Sequence, residues 1–151
     1  MLELAREADW HAVHALSVQI HSLHTAWRPD LYIHCDEPYP KEKFLSDIRQ
    51  RMVYVARIDQ MIAGFVVLSI TQKQLSGVFP HRAMQLEAIC VEESIRGHGI
   101  GKEMVSDVRV LARAFGCREV VLSVHAENDT AVGFYQKCGF TIRSIKMQMS
   151  T

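Results

Sequence analysis

The sequence has no apolar run approaching the roughly 20 residues that a membrane-spanning helix needs, so no membrane segment is expected anywhere in its 151 residues. It has no charge of one sign in excess either. Lys+Arg and Asp+Glu stand at 17 each, which removes the global field that gathers nucleic acid or an acidic membrane surface. Any anion site must therefore be local. No internal repeat, low-complexity tract or linker-like stretch divides the chain. Cys35, Cys90, Cys117 and Cys138 form no CxxC pair, and the opening MLELAREADW lacks the basic-then-apolar layout of a secretory signal. Reduced thiols, a cytoplasmic location and no structural zinc site are the expectation.

What is present suits one compact domain spanning 1–151, with 48% hydrophobic and 23% charged residues. Val13, Leu16, Ile20, Leu23 and Trp27 step by three and four, which predicts an amphipathic helix that Pro29 ends. A second helix is expected from Pro40, with Phe44, Leu45, Ile48 and Met52 inward. VYVARI (53–58) and MIAGFVVLSI (61–70) read as a hairpin about Asp59-Gln60, and AMQLEAICV (83–91) as a further strand. Met104, Val105, Val108, Leu111, Ala112 and Phe115 predict a helix closed by Gly116. EVVLSV (119–124) is a strand, Asn128 caps a helix carrying Ala131, Phe134, Tyr135 and Cys138, and FTIRSIKMQM alternates as a last strand. With a short strand near 2–5, the order predicts an α/β (α+β mixed) fold with helices on both faces of a sheet.

Between strand and helix lies RGHGIGKEM (96–104). Its glycines at 97, 99 and 101 let backbone N–H groups meet an anion at the positive end of a helix. Spacing excludes two owners of that anion. A Walker loop needs four residues between its glycine and Gly-Lys, whereas three separate Gly97 from Gly101, and Glu103 stands where Ser or Thr should follow Lys102. A dinucleotide fingerprint needs a glycine where Lys102 stands, and an N-terminal βαβ unit around it.

Arg96-x-x-Gly99-x-Gly101, following LEAICVEESI, resembles the pyrophosphate loop of the GNAT superfamily of N-acetyltransferases. HAENDTAVGFYQKCGF (125–140) resembles that superfamily's second hallmark, through Asn128, Ala131, Phe134, Tyr135, Gly139 and Phe140. The resemblance covers nearly the whole chain and has features of the polyamine acetyltransferases. It implies the GNAT fold, a mostly antiparallel sheet splayed between its fourth and fifth strands, and acetyl-CoA as donor with no metal. The backbone of Ile89, Cys90 and Val91 would then follow the pantetheine. Arg96, Gly97, His98, Gly99, Ile100, Gly101 and Lys102 would hold the pyrophosphate, and Asn128 would touch the cofactor.

Direct transfer to an amine moves two protons. An ammonium with a pKa of about 10 must lose one, and a thiolate of about 8.5 gains one. Tyr135 matches the superfamily's tyrosine acid. Glu87 stands where polyamine acetyltransferases carry a glutamate, and strict alternation would put it on the face of Ile89 and Val91. Read by itself it is equally an edge glutamate paired with a basic neighbour. His24 and Trp27 near the end of the first helix, and His125, border the expected acceptor cleft. His11, His14 and His21 read as a polar helix face, and Cys90 and Cys138 as packing residues. The acceptor, a small-molecule or protein amine, is not encoded in either motif. Homodimerisation is common among members. A non-catalytic acyl-CoA-binding module is the alternative to an enzyme.

Overall fold

The computed structural model describes residues 1–151, with Lys73 described by its backbone alone. Strand β1 (Leu2–Leu4) leads into helices α1 (Trp10–Trp27) and α2 (Lys41–Arg49). The hairpin β2 (Val53–Ile58) and β3 (Met61–Lys73) follows, then β4 (His81–Val91), α3 (Ile100–Ala114), β5 (Glu119–Val121) and α4 (Asp129–Lys137). The strands form one sheet in the order β1-β2-β3-β4-β5. Neighbours up to β4 are antiparallel and β5 joins β4 in parallel, so the sheet is mixed.

Local chemistry sets the boundaries. The β2–β3 turn holds Asp59 and Gln60 at φ 46° and 73°, the left-handed pair that a two-residue hairpin matched to strand twist requires. Helix α3 ends with Gly116 at φ 70°, and the Cys117 N–H reaches back to the Ala112 carbonyl at 2.8 Å, satisfying carbonyls that the helix leaves open.

The core has two sides. Met104, Val108 and Ala112 of α3 pack against Tyr54, Val66, Leu68, Met84 and Leu86 on one face of the sheet. Trp10, Val13, Leu16 and Phe44 from α1 and α2 cover Val53, Val55, Phe65, Val67 and Cys90 on the other. Gly64 sits where these layers close most tightly. A Cβ there would lie 2.4 Å from the Cys90 carbonyl oxygen and 3.0 Å from Met104 Sδ.

Three expectations are corrected. Leu23 and Trp27 are 49% and 36% exposed, because α1 runs past the covered part of the sheet and its stripe continues beyond the core. The fifth strand stops at Val121, short of 124. FTIRSIKMQM forms no strand among the described residues: 141–151 are exposed without turn or bend. Its apolar positions change parity between Ile142 and Ile145, so no single strand register buries them all on one face.

Candidate active site

The glycine loop presents its backbone outward. Gly97 and Gly99 take φ of 84° and 85°, and Gly99 is the left-handed N-cap of α3. The first helical bond is Glu103 N–H to the Gly99 carbonyl at 3.1 Å. Among the described residues no backbone acceptor takes the N–H groups of residues 97 through 102. Unpaired donors and the helix dipole converge on one exposed spot, the requirement for holding a pyrophosphate. Gly101 has a different task. A Cβ on it would come 3.2 Å from Phe134 Cζ, so its lack of a side chain lets α3 and α4 close together beside the loop.

Strand β4 leaves its neighbour just before this loop. The β4–β5 ladder covers only Ala83–Gln85 against Glu119–Val121, and beyond Gln85 the edge of β4 has no strand beside it. The Glu92 N–H is bonded to Ala63 of β3 at 2.8 Å, so by antiparallel alternation the backbone groups of Ile89 and Val91 face away from β3, into the opening. The Val91 carbonyl confirms that direction, since it accepts from Arg96 Nε at 2.9 Å. The Ile89 N–H therefore faces a gap that an extended thioester arm can fill as a strand would.

A β-bulge reverses the expected side of Glu87. Val67 pairs with Ala88 and Leu68 with Leu86, which leaves Glu87 as the extra residue. Ile89 and Val91 pack with the α3 side of the core, whereas Ala88 and Cys90 belong to the α1/α2 side. Glu87 turns to the latter side and accepts from Ser69 Oγ at 2.5 Å. It does not share the face of Ile89 and Val91, because the bulge breaks strict alternation there. Its carboxylate is exposed.

Tyr135 stands across the sheet from Glu87. It packs against the same core cluster as Ile89 and Val91, its ring 5.2 Å from Phe134 and 5.6 Å from Phe140. Burial, with a smaller contribution from nearby Cys138, raises its pKa above the ordinary 10.0, so the phenol keeps its proton at neutral pH. Asn128 caps α4, its side chain accepting from the Ala131 N–H at 3.0 Å. Burial pushes the Cys90 thiol up to about 11. It stays protonated and donates weakly to the Leu16 carbonyl, which fits packing and not acyl transfer.

His24 and Trp27 of α1 meet the distant His125 in one cluster with Tyr32. The His24 ring is 5.2 Å from Tyr32, Trp27 is 5.3 Å from His125, and the Tyr32 hydroxyl lies 3.3 Å from His125 Nε2. Arg28 ties the cluster down through Asp30 at 2.8 Å and Glu127 at 3.2 Å. Burial lowers the His24 pKa, and His21 and His125 lower it further. A separate cleft of about 570 Å³ lies on the outer flank of α1, lined by His14, His21, His34 and Cys35 among others. It touches neither the glycine loop nor Tyr135.

The Acetyltransferase (GNAT) family model matches residues 18–140. The chain belongs to the GNAT family of acetyl-CoA-dependent N-acetyltransferases. Glucosamine 6-phosphate N-acetyltransferase of Trypanosoma brucei brucei is 29% identical over 111 residues, 70% of this chain and 71% of that protein. Two plant proteins of the same name are matched over only 42% and 38% of their lengths. Among solved structures, a point mutant of the BH1408 protein from Bacillus halodurans superposes with a TM-score of 0.93 at 22% identity, covering 100% of this chain and 99% of that one. The aminoglycoside N-acetyltransferase AAC(6')-Iy, solved with CoA, gives a TM-score of 0.68 at 20% identity over 100% and 93% of the two chains.

The structure sets Gly101 of the loop against Phe134 and Val91, holds Ile89, Val91 and Tyr135 on one core cluster, keeps Asn128 as the cap of α4, and gathers His24, Trp27 and His125 about Tyr32. Sequence reasoning missed Tyr32, Ser69 and the contact of Phe134 with Gly101. Tyr32 lies in the aperiodic stretch after Pro29, where no spacing rule applies. Ser69 could only have been paired with Glu87 by knowing the bulge. Phe134 was read as core, and its contact over Gly101 needed the angle between α3 and α4.

Proposed function

We propose that this chain transfers acetyl from acetyl-CoA to a primary amine of a small molecule by direct attack of the amine nitrogen on the thioester carbon. The observation that carries the reading is the opening of β4 from β5 beside the unpaired N–H groups of residues 97–102. Six outward donors fit a pyrophosphate, and the free edge at Ile89 and Val91 fits an amide-bearing arm. The Ile89 N–H then donates to the acyl oxygen as negative charge develops there. A fixed donor at that position is worth about 2.7–4 kcal/mol of barrier in acyl transfer.

The two proton movements fall on opposite faces of the sheet. Glu87, or a water it holds, takes the proton from the attacking ammonium on the α1/α2 side. As the new C–N bond forms and the C–S bond breaks, Tyr135 gives its phenolic proton to the departing sulfur on the α3 side and regains one from solvent. Separating base and acid this way keeps the carboxylate from competing for the phenol's proton. His24, Trp27, Tyr32 and His125 form the aromatic wall against which the body of the acceptor lies. An acceptor with an amine on a compact polar body suits this wall, and named relatives acetylate glucosamine 6-phosphate and aminoglycosides.

Free-thiol release from acetyl-CoA across a panel of amino sugars, aminoglycosides, polyamines and peptides, with the mass of each product, tests the reading. Turnover with a small amine is expected. Thermal protection by CoA without release of thiol for any amine would instead mark a binding module. Tyr135→Phe should lower kcat by roughly 10²–10⁴-fold, the range for losing a general acid, with CoA affinity unchanged. An unaltered kcat removes Tyr135 from the mechanism.

A further inference from the structure

The segment between β4 and the glycine loop has little apolar anchorage. Glu93, Ser94 and Arg96 are exposed, and Ile95 is the residue of this stretch that packs against the α3 side of the core. Its shape, a single 3-10 turn over Glu93–Ile95, therefore rests on polar contacts. Glu92, half-buried, caps that turn, one carboxylate oxygen accepting from the Ser94 N–H at 3.5 Å. The other oxygen accepts from Gln19 Nε2 at 2.9 Å. The turn closes with the Arg96 N–H on the Glu93 carbonyl at 3.3 Å, and the chain runs from there straight into the outward N–H groups of 97–102.

Gln19 comes from the opposite layer. Helix α1 packs on the face of the sheet away from α3, and Leu16, one turn before Gln19, takes the Cys90 thiol on its carbonyl at 3.5 Å. Gln19 thus lies beside the end of β4 and reaches the turn that leaves it. Both ends of its amide are engaged. Nε2 donates to Glu92, and Oε1 accepts from the Glu93 N–H at 3.4 Å.

We propose that Gln19 is a positioning residue for acetyl-CoA: by holding Glu92 and the Glu93 N–H, it sets where the following loop presents its N–H groups to the pyrophosphate. This role rests on residues 96–102 being the acetyl-CoA loop. The group required here must donate to a carboxylate and accept from an N–H at once, which an amide does and neither a carboxylate nor an ammonium can. Without it, a half-buried carboxylate oxygen and a backbone N–H lose their partner together, and the turn is free to move. A loop that must be ordered on binding costs affinity that a fixed one does not.

The test is the CoA affinity of the full chain by calorimetry, in Gln19→Leu, in Gln19→Glu and in the exchange of Gln19→Glu with Glu92→Gln. Leu keeps the bulk and removes both bonds, so the CoA Kd should rise about tenfold, the equivalent of one hydrogen bond to a charged group. Gln19→Glu alone sets two carboxylates against each other and should weaken binding at least as much. The exchange restores every bond with the roles reversed: the new amide at 92 donates to the new carboxylate at 19, which still takes the Glu93 N–H. Its Kd should return to within about threefold of the wild type, the coupling that a double-mutant cycle reads. With an amine that is turned over, the KM for acetyl-CoA should rise with the Kd while kcat changes less than about twofold, a split that general loss of structure would not give. Circular dichroism and melting curves check that each variant is folded. CoA binding decides the matter whether or not any amine is acetylated. A wild-type Kd retained in Gln19→Leu overturns the role of Gln19 and leaves the acetyl-CoA loop in place, and an exchange variant that binds no better than Gln19→Glu overturns it as well. A wild type without affinity for CoA overturns the reading of the loop and this role with it.

Discussion

Gly64 offers the sharpest test of how the sheet positions the acyl group. In Gly64→Ala the new Cβ would meet the Cys90 carbonyl oxygen at 2.4 Å, at least 1 Å inside the 3.4–4 Å of ordinary contact. The obstacle is backbone, and Met104 on the other side, at 3.0 Å from the same point, closes the alternative direction. β4 must therefore shift at Cys90, between the two residues whose backbone groups line the opening. Overpacking of this kind costs about 1–3 kcal/mol, and at about 2–4 °C per kcal/mol for a chain of this size the melting temperature should fall by about 2–12 °C. A misplacement of about 1 Å in a reacting geometry can cost about 10²-fold in rate, so kcat/KM should drop tens to a hundredfold. Gly116→Ala is the control. It strains a residue at φ 70° with open space around it, costing about 1–2 kcal/mol without touching β4. Melting curves and thiol-release kinetics on both variants, well below either transition, separate the effects. If Gly64→Ala keeps the activity of Gly116→Ala at equal loss of stability, the position of the Ile89 N–H does not limit the reaction.

Two further predictions concern the loop and the aromatic wall. Gly99→Val strains the left-handed N-cap of α3 and crowds the outward N–H groups, so CoA affinity measured by calorimetry should fall at least tenfold, and unchanged affinity would place the pyrophosphate elsewhere. His24, which faces His21, His125 and Tyr32, has a pKa below its ordinary 6.5 in the fold. The unfolded chain therefore binds its proton first as pH falls, and the stability involved is complete above about 6.5 and is lost below it. Melting temperatures between about pH 8 and 5.5 should fall less steeply in His24→Gln than in the wild type, and equal slopes would show that His24 is not kept neutral by this cluster.

Most of the architecture was legible because periodicity and turn chemistry act locally. The α3 stripe from Met104 to Ala112, the cap at Asn128, the positive φ at Gly116 and the Asp59-Gln60 turn each follow from a few adjacent residues. The misreadings share a nonlocal cause. Whether Leu23 and Trp27 are covered depends on how far the sheet extends beneath α1. Whether FTIRSIKMQM pairs depends on the length of β5 and on the parity break before Ile145, which is visible in the sequence but carries no consequence until the neighbouring edge is known.

The same distinction explains the site. The glycine loop was readable because an anion site of this kind depends on consecutive backbone N–H groups, which glycine spacing encodes directly. Glu87 was not, because its face is set by one extra residue relative to β3, and no side chain in LEAICV signals a bulge. That single residue changes the chemistry available. On the side first expected, the carboxylate would crowd the face that carries Tyr135, and two groups of opposite proton duty would compete. On the observed side it meets Ser69 and stays exposed on the α1/α2 face, while the Ile89 and Val91 side chains remain against the core cluster that holds α3. In the mechanism proposed above, the bulge puts entry of the amine and departure of the sulfur on different faces of one strand, with the Ile89 N–H between them.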